Sequence, residues 1–353
     1  MEYSLNTSVT CVFAALPVVV TGKQCARGLG ITLLLIAGPL LSASAAHAFD
    51  CKLASTKSEK AICADPLALA ADAELSKSFG DLRGRADSGQ REAMMKAQQH
   101  WVAARDNECG DKKAAGLSAC IARASRQRML FLTATAAAGP GAPGKLAPFF
   151  RIEKGGKGRT NVDIQVFKFV DPHDPSSKTF NAEVDKLMSK VPQPEADETS
   201  ADNFDFSVSM ELTYASPRLM SAHVATSSFL GGAHPNIETA NINIDTNKGA
   251  LADFNDLLDG AAAKKIYALC ERQVVQQKKQ NGGGASLDAD ALKTLRETIG
   301  SVTPDLAMWS FGAEKASIVY DSDVLGAHAE GSFFCDVPYA TLRGLSKPAF
   351  PLP

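Results

Sequence analysis

Phe204 to Leu212 reads FDFSVSMEL, with Phe204, Phe206, Val208, Met210 and Leu212 alternating against Asp205, Ser207, Ser209 and Glu211. Strict alternation over this length is the signature of a strand buried on one face and wet on the other. Upstream, Val162, Ile164 and Val166 alternate in the same way, and downstream a strand-like run from Met220 to Phe229 predicts a further strand. That run ends in FLGGAHPN at 229–236, and Ala240, Ile242 and Ile244 alternate again before the turn Thr246-Asn-Lys-Gly249. In FLGGAHPN, Gly231, Gly232 and Pro235 suit a connection between strands, because glycine reaches backbone conformations closed to other residues. His234 is expected to fix that connection by a hydrogen bond, with ligand contact second and metal binding third.

Further on, helices are predicted at about 262–280 and 287–299, separated by Asn281-Gly-Gly-Gly-Ala285, then strands at about 305–312, 316–320 and 333–339. Strands and helices do not alternate regularly, which excludes a Rossmann or TIM architecture. Residues 161–353 are therefore expected to form an α+β domain with a mainly antiparallel sheet.

Upstream of the strands, 134–148 reads ATAAAGPGAPGKLAP with a single charge, Lys145, and residues 134–160 are read as a linker. Before it, residues 49–133 are helical in pattern. Thr56-Lys-Ser-Glu59 is a capping box, and Asp65-Pro66 supplies an N-cap with a proline at the first helical position. Leu67, Ala71, Leu75, Phe79 and Leu82 form one apolar stripe, and Met94, Ala97, Trp101 and Ala104 form another. Ser118 is expected to cap a last helix. Two long antiparallel helices with short flanking ones account for the pattern, giving an all-α, disulfide-linked helical hairpin domain. Trp101 and Arg105 stand four apart on one face, so the guanidinium can lie against the indole.

The N-terminal 1–48 reads as a signal peptide. Lys23 and Arg27 precede the apolar run Ile31 to Leu41, and Ala46-His47-Ala48 is a cleavage site of the A-x-A kind. The run is too short for a bilayer span, which needs roughly 20 apolar residues. Loss of Glu2, Lys23 and Arg27 changes the formal charge of −2 to −3. No basic face of the kind that binds nucleic acid is present. Cleavage leaves Cys51, Cys63, Cys109, Cys120, Cys270 and Cys335, an even set that reads as three disulfides in an exported protein. Pairing Cys270 with Cys335 keeps an even count in each domain. The first four cysteines allow three pairings, and the sequence leaves them open.

Catalytic motifs are absent from the sequence: no H-E-x-x-H, no G-x-S-x-G and no complete phosphate loop. No catalytic residue, cofactor or metal is expected. Convergence of His234, His328 and Glu330 is the arrangement that would give a peptidoglycan-acting enzyme or accessory instead. Glu195, Asp197, Glu198, Asp202 and Asp205 form an acidic stretch with no Lys or Arg, suited to steering a cationic partner.

Two resemblances follow from residue order. Asp50-Cys51, Glu59-Lys-Ala-Ile-Cys63, Asp65-Pro-x-Leu67, Gln98-x-x-Trp101, Arg105-Asp106, Cys109, Cys120 and Arg128 resemble the small helical domain of LprI-type lysozyme inhibitors, over about 50–132. Gly231-Gly-Ala-His234, Asn243-x-Asp245, Lys248-Gly249, Asp256-Leu-Leu258, Tyr320, Ala327-x-Ala-x-Gly331 and Val337-Pro-Tyr339 resemble the extracellular domain of RsiV-type anti-sigma factors, over about 160–345. Both resemblances imply lysozyme binding, since each family has members that bind it. Together with the signal peptide and the cysteines they point to a periplasmic or secreted protein that blocks lysozyme or another cationic muramidase by protein contact; a peptidoglycan-binding module, with peptidoglycan as its partner, is the alternative. Partner-binding candidates are Glu195, Asp197, Glu198, Asp202, His234, Trp101 and Arg105.

Overall fold

The computed structural model describes residues 50–156, 159–192, 204–231, 234–280 and 287–353. The expected signal peptide at 1–48 lies outside them. Among the described residues no helix is long and apolar enough to cross a membrane.

The helical region begins with a 3-10 turn at Cys51–Leu53, followed by α1 (Lys57–Ala64), α2 (Pro66–Arg85), α3 (Ser88–Gly110) and α4 (Ala114–Leu132). Thr56 and Glu59 form the capping box of α1, and the Asp65 carboxylate accepts from Leu67 N at 2.8 Å to start α2. The last helix differs from the sequence reading. It starts at Ala114 behind an uncapped Lys113, and Ser118 lies within it, its Oγ donating to the carbonyls of Ala114 and Ala61. A small serine can bridge two helices from inside one of them, so its capping preference did not mark an end. At 19 residues α4 is a third long helix rather than a short flank, and it packs on α1, α2 and α3. Two local disulfides tie this region: Cys51 to Cys63 and Cys109 to Cys120.

Residues 134–160, read as a linker from their Ala/Gly/Pro content, are structured in large part. Ala137 N donates to Leu212 O and Gly141 N to Ala215 O, so the first half runs along a strand end. Gly139 has φ +90° there, and a Cβ would lie 2.2 Å from Ala215 O. The second half contains β1 (Leu146–Glu153). Composition hid it, because the short apolar stretch around Phe149 and Phe150 follows directly on the glycines and prolines.

β1 opens a six-stranded sheet of sequential order with β2 (Thr160–Phe169), β3 (Phe204–Ala215), β4 (Leu219–Phe229), β5 (Asn236–Asp245) and β6 (Ala250–Leu251). Every pairing is antiparallel except β2 with β3. Between β2 and β3 in sequence stands α5 (Pro175–Met188), a helix the sequence reading did not include. Its Phe180 and Val184 pack in one core with Ile164, Val166, Val208, Met210 and Leu212, the apolar face of the sheet. The alternation of FDFSVSMEL is observed in burial, from Phe204 to Leu212.

The rest of the α+β region comprises α6 (Phe254–Leu257), α7 (Gly260–Gln280), α8 (Ala289–Val302), a three-stranded antiparallel sheet of β7 (Trp309–Phe311), β8 (Lys315–Tyr320) and β9 (Phe333–Pro338), and α9 (Tyr339–Leu342). A second core gathers Ile266, Val274, Ile299, Trp309, Ile318 and Val337. Cys270 on α7 is bonded to Cys335 on β9. Asn243 Nδ2 donates to the carbonyls of Leu306 and Trp309, and Ser221 Oγ accepts from Phe311 N, joining the small sheet to β4 and β5.

On the opposite side of the molecule's large sheet from α5, the helical region covers β1 and β2. Phe131 of α4 meets Phe150 edge-on at 5.7 Å and Phe167 at 4.8 Å. The core that includes these rings also takes in Leu75, Met94 and Ala97 from α2 and α3.

Candidate binding cleft

Because helices cover one part of this face and the small sheet another, the strip between them stays open. Register sets its floor: Asp163 and Gln165 of β2 stand beside Ser207 and Ser209 of β3, and Glu211 of β3 stands opposite His223 of β4. All are the polar members of alternating strands, so each points away from the α5 core. Trp101 and Arg105 of α3 and Arg128 of α4 form the wall above a cleft of about 480 Å³. Glu211 also borders a second cleft of about 580 Å³, reaching Gln273, Gln277 and Phe334 on the far side.

In the wall, Arg105 is buried and places its guanidinium 5.1 Å from the Trp101 ring centre, while its Nε and Nη2 both donate to Asp106 Oδ1. Asp72, on α2, has its carboxyl pushed up by burial, an effect the Arg105 charge opposes. Arg128 is also buried, within cation–π distance of Trp101, Phe131 and Phe150. Its Nε donates to Gln98 Oε1 at 3.0 Å and its Nη1 to Gln165 Oε1 at 2.6 Å, linking α3, α4 and β2, but its Nη2 is buried without a partner. Burial lowers the Arg128 pKa to about 10, the nearby Asp163 charge acting in the opposite direction. Asp163 accepts from His100 Nδ1 at 2.8 Å.

Trp101 and Arg105 thus share a face and a site, at the i, i+4 spacing read from the sequence. Arg128, Asp163, Gln165 and Glu211 were not anticipated as site residues. The polar half of the β3 alternation was the available signal, but it reads equally as a solvated face until the helices wall it in.

The other candidates lie elsewhere. His234 is exposed and stacks on His328 with ring centres 4.0 Å apart and planes 15° from parallel. Its Nδ1 is 3.3 Å from Pro235 O, and His328 Nδ1 is 2.9 Å from Asp323 Oδ2. Glu330 is turned to Lys278 and to Ala327 N, so it does not join the two rings. Among the described residues no group of three His, Cys, Asp or Glu side chains is placed to hold a metal. Gly232, Ala233, Glu195, Asp197, Glu198 and Asp202 lie outside the described residues.

A disulfide-tied helical module is seated on the sheet of an α+β module, with a cleft at the junction, in a multidomain protein. Residues 51–132 match the family described as Lysozyme inhibitor LprI. A protein of Rhizobium meliloti (strain 1021), described as uncharacterized protein R02472, is 32% identical over 102 residues, covering 22% of this chain and 73% of that one. The chain belongs to the same family as this rhizobial protein, and it carries an LprI domain at residues 51–132. Two solved structures are similar in part. A DUF3298 family protein from Pseudomonas aeruginosa PAO1 is 17% identical, with 58% of this chain and 95% of that chain covered at a TM-score of 0.42. A DUF3298 member from Bacteroides fragilis NCTC 9343 is 14% identical, with 58% and 94% covered at 0.45.

Proposed function

We propose that this chain is an exported cell-envelope protein that binds lysozyme or another cationic muramidase and blocks it by protein contact. The observation that carries the reading is the LprI domain at residues 51–132. Three disulfides suit an oxidising compartment outside the cytoplasm. The net formal charge is negative, and the acidic stretch at Glu195, Asp197, Glu198 and Asp202 favours encounter with a cationic target. Trp101 and Arg105 are of the types that dominate interface energetics, and they line the wall of a cleft. Blocking a substrate cleft requires no catalytic group of the inhibitor's own. The RsiV-type resemblance of about 160–345 adds a second module whose relatives capture lysozyme, and His234 lies within it.

Titration calorimetry with several lysozymes, alongside a cell-wall lysis assay, tests the proposal. Nanomolar binding corresponds to about −12 kcal/mol. Saturable binding that weakens with salt, together with slowed lysis, is expected. Absence of binding to every lysozyme at low salt removes the reading.

A further inference from the structure

The cleft walled by Trp101 and Arg128 is lined by six ionisable side chains, and four of them are partnered within the protein. Asp163 is held by His100 and by Gln165 Nε2 at 2.7 Å, Arg105 is neutralised by Asp106, and Glu108 faces Arg123 at 4.0 Å. The two that remain are of opposite sign. Arg128 is buried with an unpartnered Nη2, and Glu211 forms no hydrogen bond or ion pair among the described residues.

A buried guanidinium with an unmet donor favours an anionic acceptor, and with Nε and Nη1 already engaged a carboxylate oxygen would be taken by Nη2 alone. Glu211 on the same floor would repel a second anionic group, so it favours hydroxyl or amide donors. Ser207 and Ser209 beside it offer further hydrogen bonds, and Trp101 supplies one flat apolar surface. A fatty acid leaves Ser207, Ser209 and Glu211 unmatched, and a bare inorganic anion leaves Glu211 unmatched. The volume of about 480 Å³ lies within the range of small-ligand sites.

We propose that this cleft binds a small sugar acid, its carboxylate taken by Arg128 and its hydroxyl groups by Glu211. The site stands independently of the muramidase reading, since it needs no protein partner.

N-acetylmuramic acid and N-acetylglucosamine are the probes, because they differ by one carboxylate-bearing ether. The chain has two tryptophans, and Trp309 is fully buried in the small-sheet core, so ligand-dependent emission should come from Trp101. With the full chain, calorimetry and tryptophan fluorescence are expected to show the acid binding roughly ten- to a hundredfold tighter, the span of a charge-assisted hydrogen bond. Glu211→Gln should weaken both sugars several-fold, Arg128→Gln should abolish the preference for the acid, and Trp101→Phe should remove the emission change. Should Arg128→Gln fail to fold, the acid preference of the unaltered protein and the Glu211→Gln result decide. Equal affinity for the two sugars, no binding of either, or a Glu211→Gln variant that binds both unchanged would overturn the proposal.

Discussion

The side-chain amide of Gln277 on α7 pairs with the main chain of Phe334 on β9. Its Oε1 accepts from Phe334 N at 3.0 Å and its Nε2 donates to Phe334 O at 2.6 Å. One turn earlier Gln273 repeats the arrangement on Asp336, with bonds of 2.9 and 2.8 Å. Spacing of four on the helix matches spacing of two on the strand, at about 6 to 7 Å each. The two amides occupy hydrogen-bonding positions along the β9 edge, a row that would otherwise offer pairing to another chain.

Replacing Gln273 and Gln277 together by alanine should destabilise the protein by about 2 kcal/mol, since each amide makes two bonds of modest net value in a partly wet setting. Hydrogen–deuterium exchange should rise at Phe334 and Asp336, and self-association should increase. Unchanged exchange along 333–338 would show that the amides do not guard the edge.

The same helix is tied to the same strand by Cys270–Cys335, which closes a sequence separation of 65, against 12 and 11 for the two N-terminal bridges. In the chain-entropy view the long bridge contributes about 4 kcal/mol and each short one about 3 kcal/mol. Urea unfolding of the double Cys→Ala variants should therefore show the larger loss for Cys270 and Cys335. An equal or smaller loss would mean that native packing around the buried sulfurs, rather than loop closure, sets the effect.

At the start of α1, hydrogen bonds from the backbone N–H groups of Thr56 and Ser55 hold the Glu59 carboxylate well below its ordinary 4.5, at about 2. A depressed folded-state pKa stabilises fully above the unfolded value and is lost as pH falls through the folded one. The stability difference between the unaltered protein and Glu59→Gln should accordingly shrink between pH 4.5 and 2. Urea titrations across that window check it, and a constant difference would assign the capping box no electrostatic part.

What was legible in the sequence was whatever is encoded locally. The alternation at 204–212 and the caps at Thr56 and Asp65 need only neighbours in the chain, and each is seen where it was read. Helix α5 also carried a local signal that was overlooked: Asp174-Pro175 repeats the Asp65-Pro66 start, and Phe180 and Val184 share a face. The cleft is a different case. Arg128 stands 30 residues from Gln98 and 37 from Gln165, and only tertiary packing brings the three together. Trp101 and Arg105, four apart on one helix, were the part that periodicity could reach.

Phe131 of α4 joins the helical region to the large sheet. It is buried between Phe150 and Phe167, and the Arg128 guanidinium lies 5.1 Å from its ring centre. Truncating a buried phenylalanine typically costs about 3 to 5 kcal/mol, because the cavity adds to the lost burial. For Phe131→Ala that loss falls at the junction itself, so Arg128 also loses a covering ring beside the cleft. Exchange protection in α3 and α4 should fall in step with β1 and β2, while the Gln-pinned β9 keeps its protection. Exchange measured by mass spectrometry region by region reads this directly. A uniform fall across the whole chain would show instead that the helical region and the small sheet unfold as one unit, with the junction holding no separate cooperative boundary.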